Sequence, residues 1–138
     1  YHPKYILPII KKLEKNNCAA VCGSRMVNKK NALKGNMPFY KFVGNIFLTK
    51  LFNVIYSTNF TDCHTGYWIY NFKYIKKSIL SSLTNTFNFD NQMRISLVKN
   101  KLEIREIPIK TIYGSERSSV HLKYALKFFF ETILKKFT

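Results

Sequence analysis

Acidic residues are scarce in this 138-residue chain: seven aspartates and glutamates stand against 23 lysines and arginines, which gives a formal net charge of +16. Such a charge ordinarily points to an anionic partner, such as nucleic acid, a membrane surface or a phosphorylated ligand. The excess is mostly lysine, because 19 lysines and only four arginines are spread along the whole chain. Scattered lysine does not mark a binding face, so we expect no nucleic-acid partner from charge alone.

The sequence also has few cysteines and no long apolar run. Cys18 and Cys22 lie in one predicted strand with about 13 Å between their Cα atoms, too far for a disulfide. The adjacent Cys63 and His64 lack the second ligand pair of a structural zinc site, so we predict no metal ligands here. Charged residues interrupt every apolar segment before the roughly 18–20 residues that span a bilayer. These features favour a reducing, cytoplasmic compartment.

Hydrophobic residues make up 46% of the chain and aromatic residues 16%, enough for one modest core in a single domain over 1–138. The segment 26–37 is polar and aperiodic, which predicts a mobile loop. Apolar periodicity predicts strands over 18–22, 66–72 and 102–109 and helices over 3–16, 38–56, 74–83, 91–99 and 121–137. This order indicates an α/β fold with few strands and about five helices, whose small sheet would leave its faces and at least one edge uncovered.

Two segments place a carboxylate near aromatic and small residues: 61–67 (TDCHTGY) and 89–93 (FDNQM). Asp62 is predicted either to orient or deprotonate an acceptor, or to cap the Thr65-Gly66 turn through an Asx hydrogen bond. Asp90 is predicted to be the N-cap of the following helix or a site residue. His64 is expected to hydrogen-bond within its loop and not to bind a metal.

Polar side chains are also expected at the edge of the sheet, because the first strand runs into Gly23-Ser24-Arg25. The carboxyl edge of an α/β sheet is where such folds present ligand groups. On the predicted helix 38–56, a polar stripe repeats every four residues: Lys41, Asn45, Thr49 and Asn53. Either this stripe is solvated, or Lys41 and Asn45 together hold an anion.

Several short motifs follow one another in an order that resembles a known family. They are 23–25 (GSR), 36–45 (NMPFYKFVGN), 64–67 (HTGY), 89–93 (FDNQM), 106–109 (EIPI) and 116–119 (ERSS). Together they resemble family 2 glycosyltransferases of the GT-A fold, particularly the bacterial branch similar to dolichyl-phosphate mannose synthase. One departure is Trp68, where the family usually has arginine, which puts a phosphate contact there in doubt.

The resemblance implies transfer of a sugar from a nucleotide-sugar to an acceptor, often a polyprenyl phosphate, with inversion at the anomeric carbon. It implies a divalent metal, Mg or Mn, that bridges the diphosphate. It gives Asp62 a catalytic role. Residues that would bind the phosphate or acceptor are Arg25, Lys41, Asn45, Arg117 and Ser118. Supporting residues would be Ser24, His64, Gly66, Asp90, Gln92 and Glu116.

The resemblance covers the C-terminal half of the family domain. Tyr1-His2-Pro3 is similar to the residues just after the family's acidic metal-binding motif, so the nucleotide-binding half and most metal ligands are expected upstream. The last helix, 121–137, has an apolar face of Leu122, Leu126, Phe129, Ile133 and Phe137 beside lysines. That face is expected either at the inner face of the membrane or against the missing half. A basic module that binds nucleic acid or a membrane surface is the alternative function.

Overall fold

A computed structural model describes residues 1–86, 88–114 and 122–138, with the side chains of the last segment described from residue 125 onward. After a 3-10 turn at Pro3–Tyr5, the described residues form three strands: β1 (Ala20–Ser24), β2 (Trp68–Tyr70) and β3 (Ile104–Pro108). They form six α-helices: α1 (Ile6–Asn16), α2 (Lys29–Lys34), α3 (Phe39–Tyr56), α4 (Lys77–Ser81), α5 (Phe89–Lys99) and α6 (Leu122–Phe137).

The three strands form one sheet in the order β2-β1-β3. β1 pairs antiparallel with β2, Val21 opposite Ile69, and parallel with β3, Val21 opposite Arg105. All five residues of β1 are buried, as expected for a central strand covered on both faces. The predicted mixed α/β class with a small three-stranded sheet is therefore confirmed, while the GT-A topology stays a prediction.

Helices cover both faces of the sheet. α1 packs Ile9 and Leu13 against Val21 on one face. α4 and α5 pack Ile79 and Met93 on the other, with the side chain of Trp68 against them. The expectation of uncovered faces was wrong, because short flanking helices suffice for so small a sheet. At the outer edges of β2 and β3, no further strand pairs within the described residues.

The segment predicted as a mobile loop, 26–37, contains the short helix α2. The side chain of Asn28 accepts a hydrogen bond from the backbone N–H of Asn31, which caps the helix. Ala32 is buried with Met26 and Met37 in a small cluster. The loop prediction was wrong because three widely spaced apolar residues give no periodic signal, although they are enough to fix one helical turn.

Helix α3 buries part of its polar stripe. Asn45 and Thr49 are 6% and 4% exposed, whereas the apolar side chains of Phe47 and Val54 on the same helix are 59% and 81% exposed. The solvated interpretation of the stripe is therefore wrong at Asn45 and Thr49. Their hydrogen bonds to the polar segment described below offset the cost of burying them.

Helix α6 docks onto α3 and α5 of the same chain. Phe128 joins a core cluster with Phe52, and Thr132 is fully buried. The hydroxyl of Tyr56 donates to the carbonyl of Thr132 at 2.9 Å. The predicted apolar face is divided by this docking, and the face left exposed consists of Leu126, Phe130, Leu134 and Phe137. We call these four residues the α6 stripe.

Candidate functional site

Polar side chains converge at the edge of the sheet where the parallel strands β1 and β3 both end. β1 ends there at Ser24 and is followed by Arg25. The segment 57–67, which we call the site loop, contacts both residues before it enters β2. The N-terminal half of α3 closes one side. Open α/β sheets bind ligands at this edge, so the position agrees with the sequence-based expectation.

Arg25 and Asp62 form a buried ion pair at the centre of this edge. The Nε of Arg25 lies 2.7 Å from Oδ2 of Asp62, and Nη2 lies 2.8 Å from Oδ1. The backbone N–H of Arg25 donates to the same Oδ2 at 3.1 Å. The Asp62 side chain is fully buried and that of Arg25 is 11% exposed. This bidentate geometry is the strong form of an arginine-carboxylate contact.

Two further donors complete the surroundings of Asp62. The side-chain amide of Asn45 donates to Oδ1 at 2.7 Å, and the backbone N–H of His64 donates to the same oxygen at 3.1 Å. The predicted Asx hydrogen bond thus exists, although its donor is His64 and not the Thr65-Gly66 turn. Thr49 fixes Asn45 by donating to its Oδ1 at 2.9 Å.

The surroundings of Asp62 make it a weak proton acceptor. Burial alone would raise the pKa of this carboxyl, but the hydrogen bonds and charge of Arg25, with the amide of Asn45, outweigh burial and hold the pKa below its usual range. The same carboxylate holds the pKa of Arg25 above its usual value despite burial. Asp62 is therefore an ionised group that organises its neighbours.

Glu106 is the main site residue without a predicted role. Its carboxylate accepts from the backbone N–H of Thr61 at 2.9 Å, from the hydroxyl of Thr61 at 2.8 Å and from the backbone N–H of Asp62 at 3.2 Å. Burial raises its pKa, and the nearby charge of Asp62 acts in the same direction. The sequence signal for Glu106 was the motif 106–109 (EIPI), which contributed to the family resemblance without giving this residue a role.

Tyr113 and Lys41 form the outer rim of the cluster. Arg25 donates from Nη1 to the hydroxyl of Tyr113 at 2.7 Å. The ammonium of Lys41 lies 5.8 Å from the centroid of the Tyr113 ring. Gly35 fixes this rim: its carbonyl accepts from the backbone N–H of Tyr113 at 2.7 Å, and a Cβ at Gly35 would collide with the backbone carbonyl of Thr111.

The ring of His64 packs against α6, where it lies 4.3 Å from the Phe128 ring, centroid to centroid. Burial and the nearby Arg94 charge lower the pKa of His64 to about 3. Its imidazole is therefore neutral at physiological pH. The expected hydrogen bond of His64 within its loop exists, but its donor is the backbone N–H of His64, which binds Asp62, and not the ring.

Ser24 and Gly66 also lie in this region. The hydroxyls of Ser24 and Thr61 share a hydrogen bond of 2.6 Å, which joins β1 to the site loop. Ser24 also accepts from the backbone N–H of Met26 at 3.1 Å, which turns the chain after β1. The exposed Gly66 donates its N–H to the hydroxyl of Tyr1 at 3.0 Å.

The remaining candidates lie away from this cluster or outside the described residues. Asp90 is exposed in the first turn of α5, and Asn88 precedes the helix at the N-cap position, so the predicted N-cap was placed two residues late. Gln92 is buried and donates to Glu131 of α6 at 2.6 Å. The predicted roles of 116–118 (Glu116, Arg117 and Ser118) concern residues that the structure does not describe.

Neither a metal cluster nor a membrane-spanning helix is found in the part of the chain that the structure describes. There, no group of three or more His, Cys, Asp or Glu side chains could hold a metal ion. No helix among those residues is both long enough and apolar enough to cross a membrane. All three cysteines are free and buried, and burial raises the pKa of Cys63 to about 12.

The described residues thus define a mixed α/β chain with a charged site at the carboxyl edge of a small sheet. The chain is similar to a UDP-N-acetylglucosamine–dolichyl-phosphate N-acetylglucosaminyltransferase of Methanococcus voltae, with 29% identity over 97% of this chain and 53% of the relative. It is also 29% identical to an uncharacterized protein of Methanocaldococcus jannaschii, over 99% of this chain and 56% of that protein. The chain spans about half the length of these curated relatives. No family model and no solved structure matches it.

Proposed function

We propose that this chain belongs to a family 2 glycosyltransferase that moves a sugar from a nucleotide-sugar to a polyprenyl or dolichyl phosphate. The observation that carries the proposal is the buried cluster of Arg25, Asp62 and Asn45 at the sheet edge, with Lys41 at its rim. The similarity to a transferase whose named acceptor is dolichyl phosphate supports the same reaction class. In a single inverting displacement, an acceptor phosphate oxygen would bond to the anomeric carbon as the bond to the nucleoside diphosphate breaks.

The charges at the site suit a phosphate acceptor. An acceptor phosphate must approach a diphosphate of the same sign, so cations are needed to reduce the repulsion. The charge of Arg25 is already balanced by Asp62. A guanidinium has five N–H donors, and described side chains accept from three of those of Arg25. Lys41 forms no ion pair within the described residues. It is therefore our candidate for the net positive charge that meets the acceptor.

Asp62 would act by position in this reaction. A phosphate anion is already deprotonated, so attack needs no strong base, and the low pKa of Asp62 is compatible with that chemistry. Asp62 would hold Arg25 and the site loop in the geometry that the acceptor meets. Its role as a base would be required only for a neutral hydroxyl acceptor.

The divalent metal implied by the resemblance is not accommodated by the described side chains. Both oxygens of Asp62 accept hydrogen bonds from protein donors, and Glu106 is occupied by the site loop. We therefore propose that Mg or Mn, if the reaction uses it, takes its ligands mostly from outside this chain. No step above depends on it.

The proposal is tested by incubating the full-length protein with UDP-N-acetylglucosamine or another labelled nucleotide-sugar and a polyprenyl phosphate. We expect labelled sugar in the lipid phase with release of the nucleoside diphosphate. A panel of nucleotide-sugars, with phosphate lipids and neutral lipid alcohols as acceptors, identifies the substrates. Absence of transfer to every acceptor, from protein shown to be folded, would reject the proposal.

Lys41→Ala is expected to reduce kcat/KM for the lipid phosphate by about ten- to a hundredfold, because it removes one charge-assisted phosphate contact worth about 1.5–3 kcal/mol. Lys50→Ala is the matched control, since Lys50 is an exposed lysine of the same helix. Steady-state kinetics with varied acceptor measures both. Equal kinetics for wild type and Lys41→Ala would assign Lys41 to the solvated surface.

We also propose that the α6 stripe rests on the inner, anionic face of the membrane, where a lipid-linked acceptor would be found. Its four apolar residues are 52–86% exposed, and Lys127 and Lys136 beside them are exposed as well. An apolar stripe flanked by lysines is typical of an interfacial helix. The opposite face of α6 is occupied by α3 and α5, so among the described residues the stripe faces outward.

Phe130→Ser is expected to weaken binding of the full-length protein to anionic vesicles by about tenfold, because burying a phenylalanine contributes about 1.5–3 kcal/mol. Vesicle co-sedimentation at low salt measures this, and binding should fall as ionic strength rises. Phe72→Ser is the control, because Phe72 is equally exposed, at 63%, but lies outside α6. Similar losses in both variants, or no binding by wild type, would contradict this contact.

A further inference from the structure

Arg94 is a buried cation in the middle of the helical layer. It lies on α5 and is 2% exposed. Its guanidinium carbon is 4.9 Å from the ring centroid of Phe52 on α3 and 5.3 Å from that of Phe128 on α6. Three helices therefore enclose this one charged group. No ion pair to Arg94 occurs among the described residues.

The polar contacts of Arg94 reach the site loop on one side and α6 on the other. Nη1 donates to the backbone carbonyl of Cys63, the residue that follows Asp62. Nη2 donates to Oδ1 of Asn91 at 2.8 Å. The amide of Asn91 in turn donates to the carboxylate of Glu131 on α6 at 3.2 Å. These contacts form a continuous chain from α6 to the residue beside Asp62.

A buried guanidinium without a direct carboxylate partner is costly, and an apolar side chain of similar volume would fill the same space at lower cost. Arg94 is therefore poorly explained as packing alone. What an apolar residue could not supply is the directed hydrogen bond to Cys63. The Cys63 carbonyl belongs to the same peptide group as the backbone N–H of His64, and that N–H donates to Asp62.

We propose that Arg94 is a positioning residue that holds Cys63, and through it the carboxylate of Asp62, in the geometry of the site. Glu131 and Asn91 orient its guanidinium, so α6 contributes to the site without touching Asp62. The catalytic consequence rests on the proposed glycosyl transfer, whereas the structural arrangement does not. A shift of about 1 Å at a reacting centre costs up to about a hundredfold in rate.

His64 provides a reporter that is independent of activity. Burial is the largest cause that lowers the pKa of the His64 ring, and the charge of Arg94 is the second. If the guanidinium sits beside the site loop as the structure shows, then removing its charge must raise that pKa. Burial remains in such a variant, so the new value should still lie below about 6.5, the usual pKa of histidine.

The first experiment is a histidine NMR titration of the full-length protein with Arg94→Met, which has no charge and no donor. We expect the His64 signal, assigned by its loss in His64→Gln, to titrate at higher pH than in wild type. Arg105→Met is the matched control, because Arg105 is an exposed arginine paired with Glu103, and it should leave His64 unchanged. An unchanged His64 titration in Arg94→Met would overturn the proposal.

The second experiment uses Arg94→Lys, which keeps the charge but lacks the planar fork, and it also serves if Arg94→Met does not fold. We expect His64 to stay unprotonated as in wild type while kcat/KM for the lipid phosphate falls about tenfold or more, with nucleotide-sugar affinity unchanged. Wild-type kinetics in Arg94→Lys would overturn the positioning role. If wild-type protein transfers no sugar, the proposed function fails, and the titration still decides whether Arg94 sits at the site loop.

Discussion

Asp62→Asn is expected to lower the free energy of unfolding by about 3–5 kcal/mol, because it leaves the buried guanidinium of Arg25 without its carboxylate. Asparagine keeps one acceptor oxygen, but it carries no negative charge. It therefore cannot accept from both Nε and Nη2 of Arg25 as the carboxylate does. The loss should appear in denaturant unfolding of the full-length protein. It should be accompanied by reduced transfer, since the same contact organises the proposed acceptor site.

Two comparisons make this prediction specific. Glu103→Gln breaks the exposed pair with Arg105, whose side chains are about half exposed, and should cost about 1 kcal/mol or less. The double variant Asp62→Asn/Arg25→Met removes both charges and should recover part of the stability lost in Asp62→Asn. Equal stability of Asp62→Asn and wild type would mean that the pair is solvated in solution.

His64 is expected to make the protein less stable as the pH is lowered from about 6.5 towards 3. The unfolded chain binds a proton at His64 below about 6.5, while the folded chain stays neutral there until its pKa of about 3. Because the unfolded state binds more protons in this window, the free energy of unfolding rises with pH, by at most about 1.4 kcal/mol per pH unit.

Unfolding measured between pH 5 and 6.5 isolates this effect from Asp62. The folded pKa of Asp62 is lowered, so its stabilisation is present above its unfolded pKa of about 3.9 and is lost only as the pH falls further. His64→Gln should reduce the slope in this window, and His2→Gln, at an exposed histidine, is the matched control. Identical slopes in wild type and His64→Gln would show that His64 titrates normally in the folded state.

Local sequence patterns were sufficient for most of the elements. Apolar spacing predicted α1, α3 and the three strands, because a helix or strand with a buried side repeats its hydrophobic residues at a fixed period. The same patterns placed Ser24 and Arg25 at the end of β1, where a sheet presents ligand groups. Asp62 and His64 were identified by their motif, and the structure pairs Asp62 with Arg25 while the ring of His64 packs against Phe128.

The contacts that these residues make come from segments far apart in the sequence. Arg25 is paired with Asp62, 37 positions away, and both meet Asn45 of α3. Periodicity treats polar residues as solvent-facing, so it did not predict that Asn45 and Thr49 of α3 are buried. It likewise gave no role to Glu106, which fixes the site loop, or to Arg94. The physical reason is that a buried polar group is stabilised by hydrogen-bond partners from distant segments, and no local pattern contains those partners.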